Sequence, residues 1–176
     1  RCQTYPEYQL DEQLIDLQPA CQVLANWDKK ANLDSIGSHI FREYSTVIQL
    51  FKYEVGCDDI CWQDGFDVSK PLTTPGKLPE VLDANDDLHL AALATAVLTI
   101  AAANIDENAK LASYQHLVKG DKSSPIAGGI GDLTGSFSSV NVDTSDDKDY
   151  YSYTGISDNG YDVNVGDGFV LLIEFT

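Results

Sequence analysis

The sequence has no methionine, few basic residues and no apolar run long enough to cross a bilayer. It contains 11 Lys and Arg side chains against 28 Asp and Glu side chains, which gives a formal net charge of −17. A nucleic-acid backbone and an anionic membrane face both bind through Lys and Arg, so this balance argues against either partner. Because it lacks methionine and starts with Arg1, the sequence is expected to be a processed or excised piece of a longer protein.

The longest apolar run covers residues 88–103 and is interrupted by His89, Thr95 and Thr99. A helix that spans a bilayer needs ~20 consecutive apolar residues, so we interpret this shorter run as a buried helix of a soluble fold. Hydrophobic residues make up 43% of the sequence, which is enough to build a core and argues against disorder.

Four cysteines are present: Cys2, Cys21, Cys57 and Cys61. We predict the disulfides Cys2–Cys21 and Cys57–Cys61, because both pairs are local in the sequence. Disulfides indicate an oxidising compartment, such as the periplasm or the outside of the cell. A zinc site is the alternative, although the spacing of Cys57 and Cys61 differs from the usual C-x2-C pair. Four reduced thiols are a further alternative.

Apolar periodicity predicts three helices. Residues 11–27 carry apolar side chains at helical spacing, and Pro19 places the start of the regular helix near Gln18. Residues 38–53 carry a continuous apolar stripe. Residues 84–113 are rich in alanine and apolar on nearly every side, which is typical of a buried helix.

The rest of the chain is predicted to be irregular or extended. Residues 56–83 are rich in Gly and Pro and are expected to form a long loop, which is uncommon in a compact domain unless it wraps other structure. In the last third, alternation at Tyr161, Val163 and Val165 predicts a strand. Residues 169–176 are almost continuously apolar, which predicts a strand covered on both faces. These features suggest packing against further polypeptide.

Familiar catalytic motifs are missing. The sequence has no nucleophile elbow, phosphate loop or His-Glu-x-x-His pair. Each of His39, His89 and His116 could act as a general base, but a histidine with one structural hydrogen bond is the more common case. The acidic loop 143–149 and the turn 158–160 suggest calcium, but the EF-hand order is absent and a solvated acidic loop is the better interpretation. We expect no metal ion and no cofactor.

Five groups of residues, in this order along the chain, carry a family resemblance. They are ACQVLANWD at 20–28; LDSIGSHIFREY at 33–44; Trp62, Phe66, Asp67, Pro71, Thr74 and Pro75; Gly120, Asp121, 125–129, Gly135 and Phe137; and 166–169 with Glu174 and Phe175. Together they resemble the penicillin acylase family, and most closely the branch that contains aculeacin acylase and the acyl-homoserine lactone acylases. The match extends over nearly the whole length.

The resemblance implies an αββα N-terminal-nucleophile hydrolase that is made as a precursor, exported and cut by itself into α and β chains. It implies that the first Ser of the β chain attacks the acyl carbonyl, with its own α-amino group as the base. Backbone N–H groups and an Asn would form the oxyanion hole. The five motif groups correspond to a later part of the β chain, so the nucleophile and oxyanion hole are expected upstream of this segment.

No catalytic residue is therefore assigned to this sequence. Ser35 and Ser38 are internal and have no free α-amino group, so neither can act as the family nucleophile. His39, Arg42 and Glu43 are expected to tie the second helix to neighbouring elements through hydrogen bonds and ion pairs. The segment by itself is predicted to be inactive.

The expected fold is α+β, with a helical first two-thirds and a β-rich last third. Residues 1–176 would be part of one larger domain, with 1–113 mainly helical and 114–176 built from turns and strands. The expected function is structural support within a periplasmic or secreted acylase. Its partners would be the rest of the enzyme and a small acylated amide: a β-lactam, a lipopeptide or an N-acyl-homoserine lactone. The alternative is a free-standing secreted acidic binding module.

Overall fold

Three helices and two small sheets make up the part of the chain that the structure, a computed structural model, describes. The described residues are 1–55, 61, 63–65, 67–71, 73–74, 77–81, 83–129, 140–142, 155–157 and 160–166. The mixed α+β class expected from the sequence is confirmed at this level. Within the described residues, no helix combines the length and the hydropathy needed to cross a membrane.

The chain begins with a β-hairpin that the sequence pattern does not predict. Strands β1 (Glu7–Leu10) and β2 (Gln13–Asp16) pair antiparallel, and Asp11 in the turn between them has a positive φ of 50°. Within the region 11–27, where the sequence predicts a regular helix from near Gln18, the residues before that helix form strand β2 rather than an irregular helical start. Tyr8 and Ile15 are cross-strand partners, and both are buried in the main core. Alternate residues of each strand face this core, so the hairpin forms here in place of a helix.

The first two helices agree closely with the sequence. Helix α1 (Gln18–Asn26) begins at Gln18 and has proline in its first turn, as predicted. Helix α2 (Ser38–Val55) covers the predicted 38–53. Gly37 precedes α2 with a φ of +103°, and a Cβ at that position would lie 3.1 Å from the Cβ of Trp27. A residue without a side chain is thus needed where the loop from α1 passes into α2.

The third helix is shorter than predicted. Helix α3 (Leu88–Ala102) is flanked by 3-10 turns at Ala84–Asp86 and Leu111–Ser113, so the predicted helix over 84–113 is wrong at both ends. Asp87 caps its first turn by accepting a hydrogen bond from the backbone N–H of Leu90 at 2.9 Å. Beyond its end, Asn104 has a left-handed φ of 54°, which terminates the helical path.

Helix α3 fills the space between α2 and the hairpin, because it contacts α2, β1 and β2. Leu90, Ala94 and Ile100 are almost fully buried and join Leu17 and Ile40 in the main core. The expected burial of this apolar helix is thus confirmed for its inner face. Its other face is only partly covered within the described residues, with Ala101 and Ala102 exposed.

The second sheet combines strands from the last third of the chain. Its strands are β3 (Gln115–Lys119), β4 (Lys122–Pro125), β5 (Val140–Val142), β6 (Ile156–Ser157) and β7 (Gly160–Gly166). The order is β4-β3-β7-β5, with β6 paired to β7. Strand β7 runs parallel to β3 and antiparallel to β5. Tyr161 and Val163 are buried on β7, which confirms the predicted alternation at these two positions.

Several predicted features lie partly or wholly outside the described residues. Residues 61–81 of the expected loop contain no helix or strand where they are described, which agrees with that prediction. The acidic loop 143–149 and the terminal strand 169–176 lie outside the described residues, as do Asp158 and Asn159. The interpretations of these segments stay predictions.

Candidate functional site

A group of buried polar side chains joins α2 to the second sheet. Ser38, His39, Arg42 and Glu43 occupy adjacent turns of α2, and all four are buried. Tyr114 and Tyr161 complete the group, which we call the α2–β7 polar cluster. Burying ionisable groups is costly unless they are paired, so the contacts of this cluster decide what it can do.

The centre of the cluster is a contact between Glu43, Arg42 and Tyr161. The Tyr161 hydroxyl donates a hydrogen bond to Oε1 of Glu43, whose side chain is 1% exposed. The Arg42 guanidinium lies 3.5 Å from the centre of the Tyr161 ring, a cation–π arrangement. Its Nε is 3.8 Å from Glu43 Oε1. Burial, followed by the Glu43 charge, raises the pKa of Tyr161 well above its ordinary value, so its hydroxyl remains a donor.

The second tyrosine links the start of α2 to the same centre. The hydroxyls of Ser38 and Tyr114 are 2.7 Å apart, and the Tyr114 ring meets the Tyr161 ring edge-on with centroids 5.9 Å apart. Burial raises the pKa of Tyr114 to about 12. At neutral pH both tyrosines are therefore neutral, and neither supplies a base.

His39 is a neutral, fixed imidazole at neutral pH. Its Nε2 lies 3.2 Å from the carbonyl oxygen of Asp106, and because a carbonyl only accepts, Nε2 carries the proton. Its ring also lies against the Tyr114 ring, with centroids 4.7 Å apart. Burial lowers the pKa of His39 from 6.5 to about 4. Its Nδ1 is buried without a hydrogen-bond partner among the described residues.

A separate polar contact holds the described part of the long loop to α3. His89 Nε2 lies 2.9 Å from the carbonyl oxygen of Cys61 and donates to it, while Nδ1 is 2.6 Å from the Tyr44 hydroxyl. In the neutral ring Nδ1 accepts from that hydroxyl. Burial lowers the pKa of His89 and raises the pKa of Tyr44 to about 12. His89 thus links Tyr44 of α2 to the loop residue Cys61.

The N-terminal segment is fastened near the beginning of α3. Arg1 forms an ion pair with the Oδ2 atom of Asp87 at 3.2 Å and also donates to the carbonyl oxygen of Pro79. Asp87 therefore has two tasks, because its Oδ1 atom caps α3. The pair connects the first residue, the loop and a helix terminus.

One predicted disulfide is confirmed. Cys2 and Cys21 are bonded to each other and tie the N-terminal segment to α1. This bond excludes a zinc site or free thiols at those two positions. Cys61 is also disulfide-bonded, and its partner lies outside the described residues. The predicted Cys57–Cys61 pairing stays a prediction.

The contacts show how the two internal serines are used. The hydroxyl of Ser35 donates to the carboxylate of Asp28 at 3.1 Å, and that of Ser38 is bonded to Tyr114. In the hydrogen bonds of the described residues, no serine or threonine hydroxyl is paired with a histidine, as a nucleophile activated by imidazole requires. Nor does any group of three or more potential ligands in that part of the chain offer a metal site.

The three α2 residues singled out from the sequence thus hold neighbouring elements. His39 contacts the segment after α3, and Arg42 and Glu43 contact β7. The sequence does not indicate Tyr114 and Tyr161 as their partners. The sequence does indicate that partners must exist, because charged residues beside the apolar stripe of a helix require them when they are buried.

One comparison with known proteins identifies a family. The family model described as penicillin amidase matches residues 3–176. The matched region contains the α2–β7 polar cluster, both sheets and all five motif groups of the sequence.

Proposed function

The chain belongs to the penicillin amidase family, and on that premise we propose that it is a structural segment of an enzyme that removes an acyl chain from an amide. The enzyme would be a periplasmic or secreted acylase of the aculeacin and acyl-homoserine lactone acylase branch. The segment would belong to the later part of its β chain and to one larger αββα domain. Its substrate would be a β-lactam, a lipopeptide or an N-acyl-homoserine lactone.

The observation that carries this proposal is the family match over 3–176. The way the chain uses its polar residues agrees with a supporting role. Glu43 and Arg42 both contact Tyr161, and His39 donates to the Asp106 carbonyl. Ser38 is hydrogen-bonded to Tyr114. These groups stabilise the packing of α2 against β7, so the segment would give rigid support to a reaction site that is formed elsewhere in the enzyme.

The chemistry would come from a serine at the start of a β chain, outside these 176 residues. Its hydroxyl oxygen would attack the acyl carbonyl while its α-amino group takes the proton. The amine would leave with a proton, and water would then release the acyl group from the serine ester. Oxyanion donors would stabilise both tetrahedral intermediates. The present segment would contribute rigidity, on which the alignment of these groups depends.

Export is proposed from the disulfides. The Cys2–Cys21 bond and the bonded state of Cys61 fit an oxidising compartment. The excess of acidic side chains fits a well-hydrated outer surface.

The test uses the complete reading frame that encodes this chain. The expressed protein would be assayed for release of amine from phenylacetyl amides, long-chain acyl amides and N-acyl-homoserine lactones. We expect activity on at least one class, its loss when the β-chain N-terminal Ser is changed to Ala, and no activity from the 176-residue chain alone. Hydrolysis by this chain alone, or full activity after the Ser→Ala change, would refute the proposal.

The competing function, a free-standing acidic binding module, predicts a different result. The 176-residue chain would then be a monomer that unfolds cooperatively, and the reading frame would contain no serine-led β chain. The supporting-segment proposal predicts aggregation or loss of fixed packing when the chain is produced alone, because its apolar surfaces would be uncovered.

A further inference from the structure

An open groove runs between the β1–β2 turn and the C-terminal half of α3. It has a volume of about 760 Å³ and is separate from the α2–β7 polar cluster. The residues that line it are Leu10, Asp11, Glu12, Gln13, Thr95, Leu98, Thr99 and Ala102. We call it the α3 groove.

The helical wall of the α3 groove offers little hydrogen bonding. Thr95, Leu98, Thr99 and Ala102 stand at positions i, i+3, i+4 and i+7, so they share one face of α3. Both threonine hydroxyls donate back along the helix at 2.9 Å, Thr95 to the Ala91 carbonyl and Thr99 to the Thr95 carbonyl. With these donors engaged, the wall favours apolar side chains.

The opposite wall is negatively charged. Asp11 and Glu12 form the hairpin turn, both are exposed, and none of the eight lining residues is basic. An occupant that combines apolar side chains with Lys or Arg at one edge would match both walls. A second copy of this chain is a poor match, because two chains of net charge −17 repel each other.

We propose that the α3 groove binds an apolar segment flanked by Lys or Arg, contributed by the rest of the acylase. The inference rests on the proposed function, since it takes the occupant from the same enzyme. The groove would thus be an internal docking surface, with α3 as its apolar wall and the two turn carboxylates fixing the orientation of the incoming segment.

Site-specific photocrosslinking in the complete enzyme tests this directly. Benzoylphenylalanine would replace Leu98 inside the groove, and in a matched variant it would replace Ala101, an exposed residue of α3 that does not line the groove. Mass spectrometry should find that the Leu98 probe joins a peptide from outside these 176 residues with Lys or Arg close to the linked position. The Ala101 probe should not give that product.

Charge reversal provides the second arm. The variant Asp11→Lys/Glu12→Lys should lower the yield of the Leu98 crosslink by about threefold to tenfold. Glu7→Lys is the control, because Glu7 is exposed on β1 but does not line the groove. Reversing the basic residue of the crosslinked peptide should restore the yield in the double-lysine variant.

Each outcome decides the proposal. A Leu98 crosslink within the 176 residues, to a second copy, or to no peptide would overturn it, and so would equal effects of the two charge variants. Acyl-amide hydrolysis by the same complete enzyme is measured separately. An active enzyme without the expected crosslink would refute the docking surface and leave the proposed function standing.

Discussion

The hydroxyl of Tyr161 on β7 donates a hydrogen bond to the carboxylate of Glu43 on α2, a residue 118 positions earlier in the chain. The Arg42 guanidinium lies over the same tyrosine ring. One side chain of the sheet therefore contacts both charged residues of the buried helix face. Because the hydrogen bonds of such a cluster strengthen one another, the loss of a single member should weaken the contacts of the others.

We expect Tyr161→Phe to lower the free energy of unfolding by about 2 kcal/mol, because the Glu43 carboxylate would lose a donor in a buried place. Urea-induced unfolding of the complete enzyme, in which this variant and those below are made, measures the effect. Tyr5→Phe is the matched control, since the Tyr5 hydroxyl has no hydrogen bond within the described residues and should cost only a few tenths of a kcal/mol. Equal midpoints for the two variants would contradict the assignment.

Gly160→Ala adds only one methyl group, but it should lower the stability of the fold strongly. Gly160 has a φ of +91°, and a Cβ there would lie 2.1 Å from the carbonyl oxygen of Tyr114. We expect a loss of at least about 3 kcal/mol or failure to fold. Gly120→Ala isolates the backbone cost, because Gly120 has a φ of +59° but a Cβ added there would meet no atom within 4 Å. For this variant we expect a loss of about 1 kcal/mol in the free energy of unfolding. Thermal unfolding of both variants would show whether the difference exists.

Acidification should destabilise the protein through His39. The folded-state pKa of this group is lowered from 6.5 to about 4, so between these values the unfolded chain binds a proton that the folded chain does not. The stability that the neutral His39 side chain contributes is fully present above pH 6.5 and is lost as the pH falls to about 4. Over this range the free energy of unfolding should fall by up to about 3 kcal/mol. Unfolding free energies of the parent and His39→Gln, compared from about pH 7 to pH 4, should converge at low pH. Parallel curves would show that His39 has no part in the effect.

Asp87 allows its two tasks to be separated. Asp87→Ala removes both the cap of α3 and the ion pair with Arg1, and we expect a loss of about 2 kcal/mol. Asp87→Asn keeps a capping oxygen and removes only the charge, so it should cost about half as much. Added salt should narrow the gap between the parent and Asp87→Asn, since the ion pair is screened. The observation that both variants unfold at the same denaturant concentration would argue against the cap.

Replacing the confirmed disulfide should also lower stability. The double variant Cys2→Ser/Cys21→Ser frees a loop with a sequence separation of 19, and we expect a loss of about 3 kcal/mol. A reducing agent should lower the melting temperature of the parent by more than that of the variant, which retains only the bond at Cys61. The same response in both proteins would mean that the bond contributes nothing.

The predictable parts of the fold are those with local causes. Helix α2 has an uninterrupted apolar stripe, and Pro19 marks the start of α1, so both can be predicted from the sequence. The helical spacing of Leu17, Cys21, Leu24 and Trp27 predicts the helix from near Gln18 but does not indicate the strand β2 that precedes it. Only its pairing with β1 decides in favour of a strand, and pairing is not visible in one segment alone.

The candidate site is half predictable for a similar reason. His39, Arg42 and Glu43 are expected from the sequence to join α2 to other elements, and their contacts do so. Their partners cannot be named in advance, because the spacing of residues on α2 carries no information about which distant strand lies opposite. Tyr161 can be recognised only as a strand residue by its alternation with Val163.

The separation of Glu43 and Tyr161 also orders events during synthesis. Ribosomes add ~5–20 residues per second, so about 6 to 24 s pass between the two residues. During that interval the Tyr161 ring and hydroxyl are not yet available to the Arg42 guanidinium and the Glu43 carboxylate, and burial of these two charges without that contact is costly. The contact between α2 and β7 can therefore form only after the last third of the chain has been synthesised.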